Sequence, residues 1–115
     1  MAKTAMDLVQ AAKAAIQEVS VSQAQQMLRE DSIALDVREP VEFEAGHIAD
    51  ARHIPRGLLE FMVGNHPDFQ DKTRSIVVYC KSGGRAALAT ATLQQLGYSN
   101  VVNVIGGYDA WQAGS

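Results

Sequence analysis

Apolar Leu8, Val9, Ala12 and Ile16 recur at helical spacing, which predicts a helix over residues 5–18 with one core-facing stripe. Ser20 followed by Gln23 has the form of a capping box and predicts a second helix through about Leu28, ended by Asp31-Ser32. Ile33-Ala34-Leu35 is a short apolar run of the kind a buried strand needs, with Asp36-Val37-Arg38 at its C-terminal end. Pro40 and Gly46 bracket a single helical turn through Val41, Phe43 and Glu44. Ala51 to Ile54 reads as a further strand stopped by Pro55, Gly57 to Val63 as a short helix, and residues 64–75 as polar loop. Ile76-Val77-Val78-Tyr79, β-branched and aromatic, is the clearest strand in the chain. Residues 80–84 form a loop. Arg85 to Leu96 then carries Ala86, Ala89, Leu93 and Leu96 on one helical stripe, with Gly97 as C-cap. Val101 to Ile105 is the last strand, and Gly106-Gly107 turns into a short helix holding Trp111.

Strands alternating with helices predict an α/β fold, a small parallel sheet flanked by helices on both faces. The 115 residues suffice for one core. A net charge of −3 with scattered basic residues lacks the basic stripe that nucleic-acid phosphates require, so no nucleic-acid partner is expected. No apolar run approaches a membrane span, and Asp7, Lys13 and Glu18 interrupt any signal-peptide core, so the expected location is the cytoplasm. One cysteine excludes an internal disulfide and a multi-cysteine metal site. A lone thiol in a reducing compartment is either buried filler or a working nucleophile.

The chemistry converges on Tyr79-Cys80-Lys81-Ser82-Gly83-Gly84-Arg85. This segment joins a buried strand to a helix N-terminus, where open α/β sheets bind their ligands. The paired glycines let consecutive N–H groups turn inward as an anion-binding nest, the helix dipole adds positive potential, and Lys81 and Arg85 supply full charges. Cys80 at the mouth of such a loop is expected to be partly exposed and held as a thiolate near neutral pH.

The loop resembles the active-site loop of the rhodanese family, in particular single-domain sulfurtransferases. Leu35-Asp36-Val37-Arg38-Glu39-Pro40, Glu42-Phe43, Gly46-His47-Ile48, Ala51 and Ile54-Pro55 are similar to the family's first signature. Gly106-Gly107-Tyr108 with Trp111 is similar to its C-terminal one. The ordered set spans nearly all of residues 19–112. The resemblance implies a rhodanese domain over residues 19–115, preceded by a helical extension over residues 1–18. It also implies a Cys80 nucleophile that takes a sulfane sulfur from thiosulfate, polysulfide or a persulfide and passes it to cyanide or a thiol. Lys81, Ser82, Gly83, Gly84 and Arg85 would bind substrate, and Asp36 and Arg38 would support the loop or form a structural ion pair. It implies no metal and no organic cofactor; a protein is a further candidate acceptor, and the chain is expected as a monomer or homodimer.

The alternatives are a module that only carries persulfide or docks on a protein, and a phosphatase or arsenate reductase. The last two place one residue more between cysteine and arginine than the Lys81-Ser82-Gly83-Gly84 spacer here, and so make a wider cradle. Thiosulfate-specific two-domain members carry a further substrate-binding arginine at the position of Glu42, which weakens the expectation of a strong thiosulfate preference. His47 is read as stabilising the turn after Gly46. His53 and His66 lack neighbours at metal-ligand spacing, and Tyr108 and Trp111 are core or pocket-wall residues.

Overall fold

Five short strands pair in parallel in the order β1-β5-β4-β2-β3, with β1 Gln17–Val19, β2 Ile33–Asp36, β3 Arg52–His53, β4 Ile76–Tyr79 and β5 Val101–Val104. The computed structural model describes residues 2–114. The central strands are buried on both faces, as crossover helices on both sides of a parallel sheet require. Side-chain alternation divides the core in two. Ile33, Leu35, Ile76, Val78 and Val101 pack with Ala86, Ala89 and Leu93 of α5 (Gly84–Gln95). Ala34, Val77, Tyr79, Val102 and Val104 face α2 (Val21–Arg29) and α6 (Gly107–Gln112). The expected three-layer α/β arrangement is the one observed.

The Ser20/Gln23 capping box forms as read: Gln23 N–H donates to Ser20 Oγ at 3.1 Å, and Ser20 N–H donates to Gln23 Oε1 at 2.8 Å. Gly97 at φ +97° closes α5 by donating its N–H to the Gln94 carbonyl.

The helix expected over residues 5–18 is shorter. It runs Ala5–Ala15 (α1), Ile16 is extended, and Gln17–Val19 becomes edge strand β1, with Val19 buried. Pairing with β5 overrides the weak helical preference of a β-branched and polar tail. Three further expectations change. The strand expected over Ala51–Ile54 narrows to Arg52–His53. The helix expected from Gly57 to Val63 is a 3₁₀ turn at Arg56–Leu58, one α turn at Leu59–Met62 (α4), and another 3₁₀ turn at Val63–Asn65. The polar loop contains a 3₁₀ turn, Pro67–Phe69, whose Phe69 is wholly buried and accepts the Tyr98 hydroxyl on its carbonyl. A lone apolar residue in a polar run has no periodicity to announce it.

Candidate active site

Cys80 follows β4 directly, at the C-terminal edge of the sheet, and its loop leads into α5. The sulfur is the acceptor at the centre of this turn. Gly83 N–H donates to Sγ at 3.1 Å and Ala86 N–H at 3.3 Å. The donors belong to the N-cap residue and the first turn of α5, whose unpaired amides and dipole are positive at this end. N–H bonds to an ionised acceptor are about twice as strong as those to a neutral one. Cys80 is only 1% exposed. It is more enclosed than the partly exposed position expected, because its side chain joins the core layer beneath α5.

Of the two loop glycines only Gly83 needs its freedom. It caps α5 at φ +118°, whereas Gly84 has an ordinary helical backbone, and a Cβ there would sit 3.8 Å from Val9 of α1. The tightest constraint falls on Gly107. At φ +58°, a Cβ on it would lie 2.5 Å from the Cys80 carbonyl oxygen and 2.7 Å from that of Lys81. This close approach lets Tyr108 N–H donate to the Cys80 carbonyl at 2.8 Å and Asp109 N–H to the Lys81 carbonyl at 3.0 Å. The Gly106-Gly107 turn therefore clamps the outer side of the cysteine loop.

The two loop cations do not point free into an anion site. Lys81 Nζ donates to Asp109 Oδ2 at 3.0 Å, with both side chains more than half exposed. Arg85 makes a forked pair with Glu42 on α3 (Pro40–Ala45), at 2.7 and 3.1 Å. Hydrogen bonding from Arg85 holds the Glu42 carboxyl down to about 2, so it is ionised throughout the neutral range. Ser82 makes no side-chain hydrogen bond among the described residues. Beside the loop opens a cleft of about 260 Å³ with Arg38, Glu42, Lys81, Tyr108 and Asp109 in its wall.

Asp36 and Arg38 form a buried brace. Arg38 Nε donates to both Asp36 oxygens at 3.1 Å and its Nη2 to Oδ2 at 2.7 Å. The same Nη2 donates to the Gly46 carbonyl at 2.7 Å, and the guanidinium lies 4.5 Å from the Tyr108 ring centroid. Arg38 thus connects β2, the turn after α3 and α6. His47 does stabilise its turn: Nδ1 is 2.8 Å from the Phe43 carbonyl, and its ring stacks on Phe43. Asp109, and Asn103 with its Nδ2 3.3 Å from the Gly83 carbonyl, enter the site without having been singled out for it, and Glu42, read only as the position where two-domain members carry an arginine, enters as the partner of Arg85; nothing in the sequence pairs residues so far apart. Glycine repeated at 106–107 was the one legible sign of the clamp.

The rhodanese-like domain family matches residues 20–114. A sulfurtransferase of Allochromatium vinosum is 40% identical over 82 residues, covering 71% of this chain and 73% of the relative. Thiosulfate sulfurtransferase 16 of the Arabidopsis thaliana chloroplast is 38% identical over 103 residues, covering 81% and 84%. The structure of a Rhodopseudomonas palustris protein of unknown function, described as a possible tyrosine phosphatase, superposes with a TM-score of 0.89 at 28% identity. The match covers 99% of this chain, α1 included, and 92% of that one.

Proposed function

The chain belongs to the rhodanese-like family, and on that premise we propose that it is a sulfurtransferase working through a persulfide on Cys80. The observation that carries this reading is the pair of backbone N–H groups aimed at Sγ from the N-terminal end of α5. The Cys80 thiolate attacks the outer sulfur of a sulfane donor. The new S–S bond forms as the old one breaks, and the leaving group, sulfite in the case of thiosulfate, departs with the electron pair. Cyanide or a thiolate then attacks the outer sulfur of the persulfide, giving thiocyanate or a new persulfide and returning the Cys80 thiolate. Dividing the transfer this way needs a group that is both nucleophile and leaving group, which a held thiolate is.

Loop amides preorganised by Gly83 and the Gly107 clamp hold charge on sulfur in both states. In this reading Ser82, Gly83 and Gly84 line the donor's path by their backbone, Lys81 and Arg85 stand at its rim, each paired with a carboxylate, and Asp36 and Arg38 keep the wall in place. The near-closed position of Sγ suits a single incoming sulfur atom better than a tetrahedral phosphate, as does the short spacer between Cys80 and Arg85. Residues 19–115 form the rhodanese domain, and residues 1–18 are an extension that contributes α1 and most of β1. No helix among the described residues is long and apolar enough to cross a membrane. A working thiol suits the reducing cytoplasm, with a small thiol or a protein as acceptor.

The test is thiocyanate formation from thiosulfate, polysulfide and glutathione persulfide with cyanide, run beside hydrolysis of p-nitrophenyl phosphate. Donor-dependent thiocyanate without phosphate release supports the proposal. Phosphate release without thiocyanate overturns it in favour of the phosphatase reading.

A further inference from the structure

Asn103 occupies the middle of β5, a strand otherwise built of valine, and is wholly buried. Its register neighbours are Val78 on β4 and Glu18 on β1, on the face of the sheet that carries α5. The Nδ2 group donates to Glu18 Oε2 at 2.9 Å and to the Gly83 carbonyl at 3.3 Å. Both partners are acceptors only, so the nitrogen must face them and the amide cannot be reversed. In consequence Oδ1 points into the interior with no hydrogen-bond partner. A buried carbonyl left unpaired is destabilising, a cost that an apolar residue at the same place in the strand would avoid.

What that costly side chain does is hold Gly83. The Gly83 carbonyl also accepts the Ala87 N–H at 2.9 Å, so two donors fix its direction. A glycine at positive φ has no Cβ to restrict it and can swing its peptide planes; a carbonyl tied on two sides cannot follow. The N–H of the same residue is the one 3.1 Å from Cys80 Sγ. We infer that Asn103 is a positioning residue for the reaction: it locks the Gly83 backbone so that its N–H stays aimed at Sγ, with the Glu18 carboxylate orienting the amide. The inference rests on the reading of Cys80 as the nucleophile.

Asn103→Leu and Glu18→Ala test it by alkylation of Cys80 with iodoacetamide across pH, melting temperature, and thiocyanate formation. Because Asn103→Leu removes the unpaired Oδ1 with the amide, its melting temperature is expected to stay equal or rise. Its alkylation near pH 7 is expected to slow roughly three- to tenfold, with the profile displaced to higher pH and kcat/KM falling in parallel. Glu18→Ala, on the half-buried edge strand, frees the amide to rotate and is expected to slow alkylation in the same direction, about twofold. It carries the test should Asn103→Leu fail to fold. An alkylation profile unchanged from wild type in a folded Asn103→Leu, or in Glu18→Ala where only that folds, overturns the inference. Since alkylation needs no sulfur donor, a wild-type protein that forms no thiocyanate would refute sulfur transfer while leaving the role of Asn103 separately measured.

Discussion

Glu42 and Arg85, 43 positions apart in the chain, meet in a two-pronged ion pair at 2.7 and 3.1 Å across the mouth of the cysteine loop. Glu42 Oε1 also accepts the Glu39 N–H at 2.9 Å, so α3 holds the carboxylate in place while it holds the arginine. The guanidinium is therefore already neutralised before any anionic donor arrives. Replacing Glu42 with Gln removes one negative charge from the rim and frees Arg85. The expected outcome is a rise of roughly three- to tenfold in kcat/KM for thiosulfate, with little change for an uncharged alkyl persulfide, read by steady-state kinetics.

The same pair sets a pH dependence of stability. The Glu42 carboxyl is depressed in the folded protein, from an ordinary 4.5 to about 2. Its contribution is therefore complete above about pH 4.5 and is lost as pH falls toward about 2. Melting curves of wild type and Glu42→Gln should differ by a constant amount between about pH 6 and 8, and the gap should shrink steadily below pH 4.5. A gap that shrinks instead as pH rises above 6 would assign the effect to another group.

Glycine replacements should rank by geometry rather than by closeness to Cys80 in sequence. At Gly107 an added methyl meets two carbonyl oxygens inside 3 Å, and the clamp on the loop must move. Gly107→Ala should lose about 3 kcal/mol or more together with most activity. At Gly83 the methyl has room, with nothing nearer than 4.0 Å, and only the left-handed backbone resists, at about 1 kcal/mol. At Gly84 neither obstacle exists, and Ala should be neutral or slightly stabilising. Urea unfolding of the three variants gives the order directly.

Lys81 and Asp109 form an exposed pair, which contributes little to folding. Lys81→Ala should change stability by no more than about 0.5 kcal/mol. Alkylation of Cys80 should remain near wild type, because the amides of Gly83 and Ala86 are untouched. The KM for thiosulfate should rise about two- to fivefold. A larger loss in alkylation than in thiosulfate use would mean that side-chain charge, not the backbone, holds the sulfur.

What the sequence revealed follows the length of each signal. Ile76–Tyr79, the glycine-bearing loop and the Ala/Leu stripe of α5 are local patterns, and they place Cys80 at the strand–helix junction without any tertiary information. The edge strand Gln17–Val19 is too short to show alternation and exists because β5 lies beside it. Which residue each loop cation would face was equally illegible, since Glu42 and Asp109 reach Arg85 and Lys81 only through the crossovers of the fold. The burial of Cys80 and the close approach of Gly107 are likewise products of packing on α5 and α6, not of local sequence.

Intact-mass spectrometry after incubation with thiosulfate, polysulfide or glutathione persulfide tests the central claim most directly, because Cys80 is the only thiol in the chain. The account predicts a species heavier by one sulfur atom with at least one of these donors, removed by cyanide or dithiothreitol. In Cys80→Ser, whose hydroxyl stays protonated, both that species and the transfer activity should be absent while the fold persists. A wild-type protein that takes up no sulfur from any of the three, or a Cys80→Ser variant that still transfers it, would contradict the account.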